Sequence, residues 1–139
     1  MPQAIAPSLA TLPAFLEYFA LAIALTLAFL LAYVWATPHR EYALIRANNL
    51  SAATSFGGAL IGFALPLASA ISHSVSLADC AIWGVIALIV QILTFFAARL
   101  LITDLPARIE RDERAAAIFV AALSIGVGLL NAACMTYQD

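Results

Sequence analysis

The chain has 139 residues, of which 65% are hydrophobic and 10% charged, with a net charge of −2. Its mean hydropathy is +1.02. Soluble domains are about 45–50% apolar and about 25% charged, and a domain this small keeps a large surface, so water cannot be the main solvent of this one. That excludes a free soluble enzyme, a nucleic-acid binder and a disordered chain, and leaves the lipid bilayer as the environment.

A bilayer core takes about 20 mostly apolar residues per helix. Four stretches qualify. The first runs from about Pro13 to Ala36 and holds one charge, Glu17. The residues before it, Met1 to Leu12, carry no positive region, so they do not read as a signal peptide. Tyr33 and Trp35 stand where aromatic belts sit, and Thr37-Pro38 ends the helix, because proline lacks the amide donor. The second stretch runs from about Leu50 to Ile71 without a charge, with Pro66 as a kink inside it. The third runs from about Asp79 to Ile102, opened by a Ser76–Asp79 capping box. The fourth runs from about Ala115 to Met135. No loop is long enough to fold outside the membrane.

All six basic residues are arginines. Arg40 and Arg46 lie between spans one and two, and Arg99, Arg108, Arg111 and Arg114 lie around the loop between spans three and four. The tails and the middle loop have none. The positive-inside rule puts both arginine loops in the cytoplasm and both termini outside.

A shift of 64 residues superposes Ile45 on Ile109, Ala52-Ala53 on Ala116-Ala117, Ile61-Gly62 on Ile125-Gly126, Leu65 on Leu129 and Ala68 on Ala132. The expected fold is therefore all-α and transmembrane: a four-helix bundle from two tandem parallel hairpin repeats, about 12–72 and 76–136, forming one integral membrane domain. Gly58 and Gly62 then correspond to Ala122 and Gly126, small pairs that let helices approach closely. Ala20, Ala24, Ala28, Ala32 and Ala36 make a similar stripe on span one. Such faces serve internal packing first, and an oligomer interface or a pore lining otherwise.

Polar groups inside a membrane are costly and mark function more often than elsewhere. Glu17, Asp79, Gln91 and Asn131 form the candidate intramembrane site, with His73 nearby in the outer loop. Each has a plainer reading: Glu17 reaches headgroups, Asp79 caps its helix, Asn131 bonds a neighbouring helix, His73 is solvated. Gln91, near mid-span, is the most expensive. Thr26 and Thr94 can bond their own helices, and Arg99 snorkels to headgroups. Cys80 and Cys134 fall at the same outer end, as two inert thiols or as a disulfide. No catalytic motif, metal-ligand spacing or cofactor motif appears, so neither an enzyme nor a cofactor is expected. Arg108 with Asp112, and Glu110 with Arg114, are four apart, as on a helix extending into water. Arg40, Arg46, Arg108, Arg111 and Arg114 are the candidate contacts for lipid or a cytoplasmic partner.

Several segments carry a resemblance: Leu44 to Asn48, Gly57 to Ala70 with Gly62 and Pro66, Ser74 to Asp79, Trp83, Gln91, and Gly128 to Met135 with Asn131 and Cys134. Through them the chain resembles the YjfL-like family of small bacterial inner-membrane proteins, catalogued as a domain of unknown function. The likeness extends from Leu12 to Thr136 and departs from the pattern at Asn48-Asn49, where a glycine is expected beside the asparagine. It implies inner-membrane residence and gene neighbourhoods with membrane-stress proteins and a peptide-ligase-like enzyme. It supplies no catalytic residue. Two functional expectations follow. One is a homo-oligomeric channel or transport-like component for a small solute or ion. The alternative is a scaffold that recruits cytoplasmic membrane-stress proteins.

Overall fold

The computed structural model describes residues 9–37 and 41–135. They form six helices: α1 Leu12–Ala36, α2 Glu41–Arg46, α3 Leu50–His73, α4 Leu77–Leu101, α5 Leu105–Glu110 and α6 Arg114–Met135. No strand occurs among the described residues. Four of the helices, α1, α3, α4 and α6, are long and apolar enough to cross a membrane, and each covers one of the four apolar stretches.

Local chemistry sets the ends. Pro13 opens α1, and the amide and hydroxyl of Thr37 close it on the Tyr33 carbonyl, each at 3.0 Å. Asn49 caps α3 by accepting from the Ala52 amide at 2.9 Å. Ser76 caps α4 through the Asp79 amide at 3.1 Å, and the Asp79 carboxylate accepts from Val75 N–H at 3.1 Å. The reciprocal bond reaches one residue further back than in an ordinary capping box.

The two short helices both end in a left-handed turn. After α2, Asn48 has φ 67°, its amide donates to Ile45 O at 3.0 Å, and the Asn49 amide donates to Leu44 O at 2.9 Å. After α5, Asp112 has φ 58°, its amide donates to Ile109 O at 2.9 Å, and the Glu113 amide donates to Arg108 O at 2.9 Å. These are Schellman closures. Asparagine and aspartate tolerate the left-handed region better than other side-chain-bearing residues, so the turn forms at Asn48 without glycine. Each bond in the first turn has its counterpart 64 residues on, as do the bounds of α2 and α5.

The long helices pack unequally. The closest pair is α3 with α6, which run parallel: Gly58 lies against Ala121, Gly62 against Ser124, and Ser69 Oγ donates to Ala132 O at 3.2 Å. α4 lies across both, and α1 leans on α4 and α3. α1 is the least buried span; its fully buried residues are Leu25, Phe29 and Tyr33. Ala20, Ala24 and Ala28 are exposed, so α1 uses bulk rather than its small stripe for internal packing. Tyr33 belongs to the core, and only Trp35, 87% exposed, stands where a belt residue would. The core between α1, α3 and α4 is aromatic. Phe29 stacks on Phe63 at 4.6 Å between centroids, and Tyr33 meets Phe56 and Phe95 edge-on at 5.4 and 5.5 Å. Such pairs contribute about 0.5–1.5 kcal/mol each beyond the area they bury.

Candidate functional site

Small residues let α3 and α6 touch backbone to backbone. A Cβ added at Gly58 would strike Ala121, one at Gly62 would strike the Ser124 carbonyl, and one at Gly128 would strike the Gly62 carbonyl. Pro66 has no N–H, so the Gly62 carbonyl lacks its ordinary helical donor. That carbonyl lies against Gly128. The seam corrects one expectation. α6 meets α3 through Ala121, Ser124 and Gly128, whereas Ala122 is exposed and Gly126 has nothing within 4 Å of where its Cβ would stand. The shift of 64 locates equivalent residues but not the face by which the two helices meet, and residues one apart on a helix point about 100° apart.

Gln91 of α4 faces this seam. It is 1% exposed, and its Nε2 donates to the Ser124 carbonyl at 3.0 Å, beside Gly62. Its Oε1 is buried without a hydrogen-bond partner among the described residues. A glycine at position 62 makes room for this amide, since a Cβ there would come within 2.9 Å of Nε2. Thr94 and Thr26 satisfy themselves on the carbonyls of Val90 and Ala22 at 2.7 and 2.8 Å.

The other polar candidates lie elsewhere. Asp79 lines a small cleft at the α3–α4 connection with Ser69, His73, Ser74, Trp83 and Met135. The cleft holds about 10 Å³, room for one water. His73 Nδ1 sits 2.9 Å from the Ser69 carbonyl, and Asp79 is engaged in its cap. Asn131 has a buried Nδ2 without a partner among the described residues. Glu17 is on the exposed side of α1 and lines neither the cleft nor the seam. The four candidates therefore do not converge on one centre. Cys80 is buried, Cys134 is exposed, and both thiols are free. Among the described residues no three of His, Cys, Asp and Glu gather closely enough to hold a metal.

At the opposite end the two left-handed turns interlock. The Asn49 side-chain nitrogen donates to the carbonyls of Ile109 and Glu110 at 3.1 and 3.2 Å, closing the end of α5. The Asp112 carboxylate accepts from the Ser51 amide at 2.9 Å, at the start of α3. The expected pairing of Arg108 with Asp112, and of Glu110 with Arg114, along one continuous helix gives way here. The turn at Asp112 breaks the helix, and Glu113 pairs instead with Arg108 Nε at 3.1 Å and Arg111 Nη2 at 2.7 Å. Arg111 and Arg108 hold the Glu113 carboxyl below the usual range. Ser51 does the same for Asp112. Arg46 lies 5.6 Å from the Tyr42 ring centre, Arg114 is exposed, and Arg40 lies outside the described residues. The interlocking roles of Asn49 and Asp112 were not expected from the sequence; the signal was their equivalent neighbourhoods, Asn48-Asn49 and Asp112-Glu113, each just ahead of a span.

Residues 7–135 match the family described as Domain of Unknown Function (DUF350). The chain belongs to this family. It is similar to the UPF0719 inner membrane protein YjfL of Escherichia coli (strain K12), with 40% identity over 127 residues, covering 91% of this chain and 96% of the relative. It is also similar to the UPF0719 transmembrane protein YshE of Bacillus subtilis (strain 168), with 26% identity over 118 residues, 84% of this chain and 88% of that one. No solved structure matches. Among its described residues this DUF350 member has helices and no strands, with four candidate spans, and it has an inner-membrane relative.

Proposed function

We propose that the chain builds a homo-oligomeric inner-membrane channel or transport-like component for a small solute or ion. Beneath it lie two tandem parallel hairpins, with both termini in the periplasm and the arginine-bearing turns in the cytoplasm. The repeat is supported by the 64-residue correspondence of helix bounds and turn bonds. An even number of spans per copy keeps the copies parallel, and the arginines of the described residues, Arg46, Arg99, Arg108, Arg111 and Arg114, all at the end of the helices where the turns interlock, favour that orientation.

The observation that carries the functional reading is Gln91. An amide oxygen without a donor, buried where no bulk water reaches, costs free energy in a membrane. A leucine would fill nearly the same volume without that cost. What the amide offers is an acceptor beside the seam that a water or a cation can use. The rings of Phe29, Tyr33, Phe63 and Phe95 fill the interior between α1, α3 and α4, so this reading puts the pathway along the α3–α6 side. Purified protein in liposomes is expected to pass at least one common cation or anion, and Gln91→Leu to cut that flux tenfold or more while unfolding as the parent does. Flux no greater than in empty liposomes, across common cations and anions, overturns the proposal.

The alternative is a scaffold that recruits a cytoplasmic membrane-stress protein through the arginine turns. It has less support, because Glu113 neutralises two of those cations, Arg108 and Arg111.

A further inference from the structure

The α3–α6 seam is built from two different faces. α3 contributes the face of Gly58 and Gly62; α6 contributes the face of Ala121, Ser124 and Gly128. Under the 64-residue correspondence, the equivalents of Gly58 and Gly62 on α6 are Ala122 and Gly126. The equivalents of Ala121 and Gly128 on α3 are Gly57 and Ala64. Neither equivalent face is used. Ala122 and Ala64 are exposed, and Cβ atoms added at Gly57 or Gly126 would meet nothing within 4 Å.

A two-fold contact between related helices would use the same face on both and leave nothing over. A contact through unlike faces leaves one unused copy of each, here one on α3 and one on α6. The correspondence holds in both layers: it carries α3 onto α6 and α1 onto α4, and the members of each pair are in contact. Each open face therefore has its complement on the same chain, in a pairing the chain already makes once.

We propose that a second copy of this chain continues the seam, its α3 face of Gly57 and Ala64 seating on the α6 face of Ala122 and Gly126. Head-to-tail contacts of this kind close into a ring when the rotation allows. Small residues on both faces supply the close approach that drives helix association in lipid, where hydrophobic burial does not. Leu60 stands where α6 has the smaller Ser124, so the seam between chains is wider than the one within. The inference rests on the tandem-repeat and homo-oligomer reading above and gives it a geometry.

Disulfide trapping in native membranes tests it, with full-length protein carrying Cys134→Ser to remove the exposed thiol. Shifting the contact of Gly62 with Gly128 by one repeat pairs Gly126 with Ala64 of the next chain. The double variant Ala64→Cys/Gly126→Cys should give dimers and a ladder of higher species on mild oxidation. Co-expressed single variants should give dimers only, and either single variant alone should give none. Ser69→Cys/Ala132→Cys, across the inner seam, should close within one chain and certifies folding and oxidation. With that control closed, monomer from the Ala64/Gly126 pair overturns the proposal. So does Gly126→Cys alone dimerising as well as the pair, which would mean a two-fold face. Cross-links without ion flux would sink the channel reading and keep the assembly; flux without cross-links would do the reverse.

Discussion

α3 and α1 are both apolar spans with small residues at helical spacing, yet they are buried in opposite ways. α3 buries ten residues, among them Ser51, Ala52, Ser55, Gly58, Ala59 and Gly62. α1 buries three, all large, and exposes Phe15, Phe19, Leu27 and Leu31 along with Ala20, Ala24 and Ala28 of its alanine stripe. Apolar grooves flank α1, one of about 300 Å³ beside Phe15, Tyr18 and Ile71 and one of about 210 Å³ beside Trp35 and Leu88. A small residue in a membrane helix is thus only an opportunity. It becomes a contact where the opposite helix also presents backbone, as Ser124 and Gly128 do to Gly62.

The largest expected effect tests that contrast directly. Gly62→Leu forces side chain into the Ser124 carbonyl and the Gln91 amide. Overpacking of this kind costs about 1–3 kcal/mol and more where backbone must move, so the folded fraction in a detergent unfolding titration should collapse. Ala24→Leu, on the exposed stripe of α1, should stay within about 0.5 kcal/mol of the parent. Equal losses for the two would erase the distinction between the helices.

A smaller effect sharpens it at the end of the seam. Asn49→Ala removes the cap of α3 and the donor that closes α5. Loss of a cap costs about 0.5–2 kcal/mol, read as a lower unfolding midpoint. No change would mean that the seam, not the interlocked turns, holds these helix ends.

The smallest effect is one of pH. Asp112 has a lowered carboxyl pKa because of Ser51. A carboxylate with a depressed folded pKa stabilises above its unfolded value, about 3.9, and that contribution is lost as pH falls through the folded value. Unfolding midpoints measured from pH 6 down to pH 3 should therefore fall less for Asp112→Asn than for the parent. Parallel slopes would remove Asp112 from the account.

Much of the molecule was legible beforehand because its signals are local. A bilayer sets helix length, so runs of apolar residues mark the four spans. Proline and serine mark helix ends because they act on their own neighbours, as Thr37 beside Pro38 and Ser76 with Asp79 do. The motifs that carry the family resemblance run along nearly the whole chain, and the match over residues 7–135 bears out that resemblance. Other features needed the fold. Asp112 adopts a left-handed turn that breaks what charge spacing suggests is one helix, and Asn48 adopts its counterpart ahead of α3. Gln91 gained the Ser124 carbonyl of another helix, 33 residues away, while its oxygen was left bare.

The face of α6 that meets α3 was decided by tertiary structure alone. In water, the apolar side of a helix announces where its partner lies. In lipid every side is apolar, so periodicity names the residues that share a face without saying which face is covered. Composition and the four apolar runs settled what kind of chain this is. Only packing could choose Ala121, Ser124 and Gly128 over Ala122 and Gly126, because that choice depends on where another helix's backbone stands.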